Sequence, residues 1–321
     1  MNIRWQTLIL ILLILVSFSL TKANLFSAQT KPRLKADIVS VSPPQNSPVA
    51  QNFASSKTSL SAMNQVEVKN GLARNWSVLD PKISAEAVMI QSLSENFPFL
   101  NYNTYKTWPM ASLTKLLTAV LVIENAGLDK KIMISERAVL SEGEAGNLKA
   151  GEIYTSQDLL KIMLLTSSND AATAFEDYFG GNEAFSKMIN QKAEKLGMTQ
   201  TIFFDGSGLS DLNRSTASDM LRLTKYILEN EPEIFNWTRL QDFLVQPINS
   251  TNTRAIRNID PLVSNGDFLG GKTGTSEAAG ENLISIFSLG NYRMAMIILG
   301  SPNRVKETES LLEWTKAAYS F

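Results

Sequence analysis

Apolar, strand-like runs stand at both ends of the region after residue 75, with a long helical stretch between them, and that separation constrains the fold most strongly. Residues 85–92 (AEAVMIQS) and 97–103 (FPFLNYN) read as a strand pair around a Ser-Glu-Asn turn. Residues 268–276, 282–289 and 292–299 read as three more strands joined by short turns, closed by a terminal helix over 305–319. A lone hairpin is marginal in water, so each group needs sheet neighbours to bury its apolar face. One antiparallel sheet built from both ends satisfies both groups.

The middle is helical. Thr155 or Ser156 caps a helix through residue 165, and helical patterns follow over 170–179, 183–196 and 216–229, giving an α-rich lobe between 155 and about 237. A further helix begins at Ser112, where Leu113, Leu116, Leu117, Val120 and Leu121 recur at helical spacing, and Gly127 stops it. The predicted class is therefore α/β in the broad sense (α+β): an antiparallel sheet flanked by helices, with a helix-rich second lobe.

Ahead of this region lie two other segments. Residues 1–26 hold Arg4 and a 13-residue run, 8–20, broken only by Ser17 and Ser19. That length suits a signal-peptide core, with Thr21-Lys22-Ala23 as a small-residue cleavage site. Taken from Trp5 to Phe26 it suits a membrane anchor instead. Either way Arg4 stays inside, placing the rest on the extracytoplasmic face of the membrane. Residues 27–75 are rich in Ser, Pro, Gln, Asn and Lys without apolar period, which predicts a disordered linker; a tether of this kind favours the uncleaved anchor. Residues 76–321 are then one folded domain of two lobes, the part of the chain that would carry any catalytic site.

Composition narrows the chemistry. The 321-residue chain has no histidine and no cysteine, which removes disulfides, thiolate nucleophiles and nearly every transition-metal site, so no metal and no cofactor are expected. Lys plus Arg (30) and Asp plus Glu (31) nearly cancel, with no basic stripe, so nucleic acid is not an expected partner. A serine nucleophile in such a chain needs a base other than imidazole. Ser112 and Lys115 are spaced i, i+3, which puts hydroxyl and amine on one helical face. Ser167-Ser168-Asn169 falls in the break between two helices, and Lys272-Thr273-Gly274 lies on a strand after Gly270-Gly271, whose missing side chains would let a substrate backbone approach the sheet edge.

Singly, these motifs are weak. Ser19-Leu20-Thr21-Lys22 repeats the first by coincidence, and Ser94, Ser250 and Ser301 also begin Ser-x-Asn triplets. In fixed order and in matching local structures they are specific. Together with PMASLTKLLTA at 109–119, TSSNDAATA at 166–174, GSGLS at 206–210 and GKTGTSEAAGENL at 271–283, the chain resembles the low-molecular-mass penicillin-binding proteins, the D-alanyl-D-alanine carboxypeptidase branch of the penicillin-recognising serine peptidases. GSGLS is not a nucleophile elbow, because position 205 is Asp, and Ser207 reads as a loop residue.

The resemblance implies a β-lactamase/transpeptidase-like fold and a peptidoglycan stem peptide as substrate, with β-lactams as covalent inhibitors. It implies that Ser112 attacks the bond between two D-alanines and that Lys115, kept neutral by burial and by the charge of Lys272, takes its proton. Ser167 would relay a proton to the leaving amine, and Asn169 would hold both the substrate amide and Lys115. Lys272 and Thr273 would bind the terminal carboxylate beside Gly274, and the N–H groups of Ser112 and Thr275 would form the oxyanion hole. For the family's substrate-contacting arginine, the short stretch 300–304 offers Arg304. Glu152, Asp205 and Asp211 are all open as deacylation base. A DD-endopeptidase, a β-lactamase or a non-catalytic β-lactam or wall sensor would carry the same motifs.

Overall fold

The computed structural model describes residues 72–143 and 146–321. The predicted export segment, and the predicted linker up to residue 71, lie outside the described residues. Arg74, within the stretch read as linker, bridges to Tyr319 and pairs with Asp80 at 2.7 Å.

The strands from the two ends of the sequence form one sheet. β1 (Ala87–Ser92) and β2 (Pro98–Tyr102) make the predicted hairpin. Three short ladders then occur: β3 (Trp108–Pro109) with β6 (Arg214–Ser215), β4 (Lys131–Met133) with β5 (Ile153–Thr155), and β7 (Asp242–Val245) with β8 (Arg254–Arg257). β9 (Phe268–Ser276), β10 (Gly280–Leu289) and β11 (Tyr292–Ser301) complete the main sheet in the order β2-β1-β11-β10-β9, with every pairing antiparallel. β9 is an edge strand, so one side of its backbone faces the cleft described below.

Both faces of the sheet are covered, which is why its central strands read as continuous apolar runs instead of alternating ones. Along β11, Ala295, Ile297 and Leu299 join the core under the helical lobe, whereas Met294, Met296 and Ile298 join the core under the terminal helix. The period of two is intact, and each face finds its own apolar cover.

The helices follow the capping residues. α1 (Lys115–Ala126) stops at Gly127, whose φ of 72° suits glycine, and α2 (Glu136–Val139) is capped by Ser135. The predicted choice at α3 (Ser156–Leu165) resolves to Thr155, which accepts from Asp158 N at 3.0 Å, while Ser156 Oγ donates to Gly127 O. Ser168 caps α4 (Asn169–Tyr178). α5 (Asn182–Lys195), α6 (Ala217–Asn230, capped by Thr216) and α7 (Glu233–Thr238) finish the lobe. α8 (Arg304–Ala318), capped by Asn303, closes the sheet's other face through Leu311, Leu312 and Trp314.

Candidate active site

Ser112 does not open an α-helix as the spacing predicts. It sits in a 3₁₀ turn, Ala111–Thr114, entered through Ala111 at a φ of 47°, and α1 starts only at Lys115. A 3₁₀ turn eclipses positions i and i+3, whereas an α-helix offsets them. The tighter turn thus brings the Lys115 side chain under the Ser112 hydroxyl, at 2.9 Å from Nζ to Oγ.

Lys115 is fully buried, and an ammonium there must be solvated by the protein. Besides Ser112 Oγ, its Nζ donates to Asn169 Oδ1 at 2.7 Å and to the Ser207 carbonyl at 2.5 Å. These oxygens are placed to stabilise an ammonium. Asn169 is oriented from behind: its Nδ2 donates to the Glu142 carbonyl at 2.7 Å, which turns Oδ1 towards the lysine.

Ser167 carries a φ of 58°, a left-handed conformation uncommon for serine, between α3 and the cap of α4. Lys272 Nζ donates to Ser167 Oγ at 3.0 Å and to Thr273 O at 2.7 Å, and Lys272 is 2% exposed. Asp260 is also buried; burial raises its pKa, and the Leu262 N–H it accepts, followed by the charges of Lys272 and Arg304, partly offsets the rise.

The two glycines before the Lys-Thr-Gly motif serve a purpose other than the predicted one. A Cβ on Gly270 would stand 2.5 Å from Phe235 O, and one on Gly271 would stand 2.4 Å from Ile284 O. They admit α7 and the neighbouring strand β10, not a substrate. Gly274 is the glycine that matters at the site: its Cβ would lie 2.9 Å from Met110 O and 3.2 Å from Ser112 N, so only glycine lets β9 lie this close to the serine turn.

A cleft of about 160 Å³ runs between β9 and the helical lobe, lined by Ser112, Ser167, Asn169, Thr273, Gly274 and Thr275, with Lys115 and Lys272 buried in its wall. Arg304 also lines it and donates to Gly274 O at 3.0 Å and Thr275 Oγ1 at 2.6 Å. The short stretch after β11 therefore does deliver an arginine to the cleft.

The acids left open by spacing are separated by their contacts. Asp205 collects the N–H groups of Ser207, Gly208 and Ser210 and shapes the loop. Glu152 pairs with Arg254 and accepts from Tyr154, away from the cleft. Asp211 accepts from Ser276 Oγ at 2.8 Å, at the cleft's rim. Ser207 is a loop residue as predicted, and its carbonyl contact with Lys115 has no side-chain signature in the sequence, as for any backbone acceptor. The tight fit of Gly208, whose Cβ would meet Ala111 O at 2.0 Å, is the trace it leaves in GSGLS.

The sequence and the fold are similar to those of known proteins. The profile of the family described as D-alanyl-D-alanine carboxypeptidase matches residues 74–303. The chain is 30% identical over 259 residues to the D-alanyl-D-alanine carboxypeptidase DacC of Escherichia coli, covering 75% of this chain and 64% of the relative. It is 30% identical over 226 residues to the D-alanyl-D-alanine endopeptidase of the same organism, covering 68% and 72%. Penicillin-binding protein D2 of Listeria monocytogenes, solved in a cefotaxime-bound form, superposes with a TM-score of 0.64 at 28% identity, covering 74% of this chain and 99% of that one. With a serine, two buried lysines and an asparagine gathered where β9 meets the helical lobe, and with that match spanning most of its length, the chain belongs to the D-alanyl-D-alanine carboxypeptidase family of serine peptidases.

Proposed function

We propose that the protein removes the terminal D-alanine from peptidoglycan stem peptides through an acyl-enzyme on Ser112. The observation that carries this reading is the 2.9 Å contact between Lys115 Nζ and Ser112 Oγ in a cleft that also holds Lys272 and Arg304. A neutral Lys115 takes the serine proton as Oγ attacks the carbonyl carbon. The negative oxygen formed is held by the N–H groups of Ser112 and Thr275, each worth about 100- to 1,000-fold in rate. Ser167, against Lys272, relays the proton that Lys115 took on to the departing amine, which leaves Lys115 neutral again as D-alanine departs. Water then cleaves the ester and restores the serine.

Lys272, Thr273, Thr275 and Arg304 offer donors for the free carboxylate that marks the end of a stem peptide, and charged donors suit it. β-Lactams, which present a carboxylate beside a strained amide, acylate the same serine. The chain spans 64% of DacC, and the endopeptidase is matched over 72% of its own length, so cleavage of cross-links is the second reading. The carboxylate donors favour the first. Residues 1–26 would hold the domain at the extracytoplasmic face of the membrane.

Intact-mass spectrometry with benzylpenicillin, and separately with a diacyl-Lys-D-Ala-D-Ala peptide, tests this. A penicilloyl adduct lost in Ser112→Ala, together with release of D-alanine, supports the carboxypeptidase. An adduct with cleavage only of a cross-linked dimer moves the assignment to an endopeptidase. No adduct on the parent protein sinks both.

A further inference from the structure

Two of the oxygens around Lys115, Asn169 Oδ1 and the Ser207 carbonyl, are tied to one helix. Asn169, the first residue of α4, contacts Lys115 directly. Glu176 lies seven residues further along α4, two turns on and on the same face. It is 3% exposed, and its Oε1 accepts the Gly206 N–H at 2.8 Å. The Gly206 carbonyl is held from the opposite side by Thr118 Oγ1, at 2.6 Å, one turn after Lys115 on α1. The next carbonyl in the chain, Ser207 O, is the one that receives Lys115 Nζ.

The Gly206 backbone is thus gripped at both ends, and its fit is tight: a Cβ there would lie 2.5 Å from the Phe185 ring. A buried carboxylate is a costly group to use where a neutral acceptor would suffice. Here it is compensated by Arg137, whose Nη2 donates to Glu176 Oε2 at 3.1 Å while its Nε donates to Asp177. A charge-assisted bond to a backbone N–H is shorter and stiffer than a neutral one.

We infer that Glu176 is a positioning residue for the acylation step: through the Gly206 backbone it sets where the Ser207 carbonyl stands, and so fixes the Lys115 amine against Ser112. Glu176 does not line the cleft. It acts because α4 carries both Asn169 and Glu176, so that a single rigid element determines two of the oxygens facing the lysine.

The inference rests on the acyl-enzyme reading above, and the test separates the two. Acylation of the full chain by benzylpenicillin is followed by stopped flow and resolved into a noncovalent dissociation constant and an acylation rate constant. Glu176→Ala is expected to slow acylation about tenfold to 100-fold, the scale of misplacing a reacting group by about 1 Å, with the dissociation constant within about twofold. Glu176→Gln keeps an oxygen for Gly206 N–H and is expected to stay within about threefold of the parent. Thr118→Val, which releases the other side of the same residue, is expected to slow the same step. Asp177→Ala, which removes the outer end of the Arg137 network, is expected to lower stability without slowing acylation.

A Glu176→Ala rate equal to the parent's, measured where both are folded, overturns the positioning role and leaves the acyl-enzyme standing. If Glu176→Ala does not fold, Thr118→Val decides, and an unchanged rate overturns the role. If the parent gives no Ser112-linked adduct, both the role and the proposed function fall.

Discussion

Gly274 shows how one missing side chain sets the geometry of the cleft. The turn bearing Ser112 lies against it so closely that a Cβ must push β9 and the turn apart. Gly274→Ala is therefore expected to cut penicillin acylation by about 100-fold, because the reacting groups separate by a fraction of an ångström to 1 Å. The fold should survive, so a normal thermal transition with slow acylation is the expected result; unchanged acylation contradicts it. Glu231 offers a second test, remote from the cleft. Burial and the neighbouring Glu233 push its carboxyl up to about 7 from the ordinary value of 4.5. The folded state then holds a proton that the unfolded state has already lost. This contribution is complete below about 4.5, falls as pH rises, and is gone above about 7. Thermal melts from pH 4 to 8 should show Glu231→Gln gaining on the parent as pH rises across that window. A constant difference would contradict the shift.

The elements differ in how plainly the sequence announces them. Helices with a Ser, Thr or Asn cap and a clear apolar period were legible: α3, α4 and α6 stand within a residue or two of their predicted bounds. The central strands of the main sheet were equally legible, because a run covered on both faces is dominated by apolar residues, as in AVMI of β1 and MAMIIL of β11. Three features were not. The 3₁₀ turn at Ser112 has the same i, i+3 spacing as an α-helix, and only packing against Gly274 decides between them. The purpose of Gly270 depends on α7, more than 30 residues earlier, and that of Gly271 on how β10 lies against β9, and neither follows from the Gly-Gly pair itself. The Ser207 carbonyl, like every backbone acceptor, is independent of residue identity. At this scale the cap of α3 is the direct test: Thr155→Ala should cost about 1 kcal/mol in urea unfolding, the usual value for a lost N-cap. A neutral result would mean that Ser156 takes over the cap.

For the described part of the molecule as a whole, the first and last stretches are joined. Asn75 N donates to Ala318 O at 2.7 Å, Ser320 N donates to Ala73 O, and Arg74 stacks over Trp76, Trp314 and Tyr319. A chain beginning at residue 67 should melt with the full chain, while one beginning at residue 76 loses this clasp. For a domain of this size each kcal/mol lost shows as about 2–4 °C, so a drop of several degrees is expected by calorimetry.

That clasp sits beside β2, where Tyr319 OH donates to Phe99 O, whereas the cleft lies along β9 at the opposite edge of the sheet. α8 spans the distance between them. Its 15 residues make a rod about 22 Å long, with Arg304 at its first position and the clasp immediately past its last. Tension applied to the chain ahead of residue 72 would therefore reach the far end of a lever whose near end holds Gly274 and Thr275. In mechanical terms, the part of the chain that would be tethered and the part that would grip a carboxylate are opposite ends of one strut.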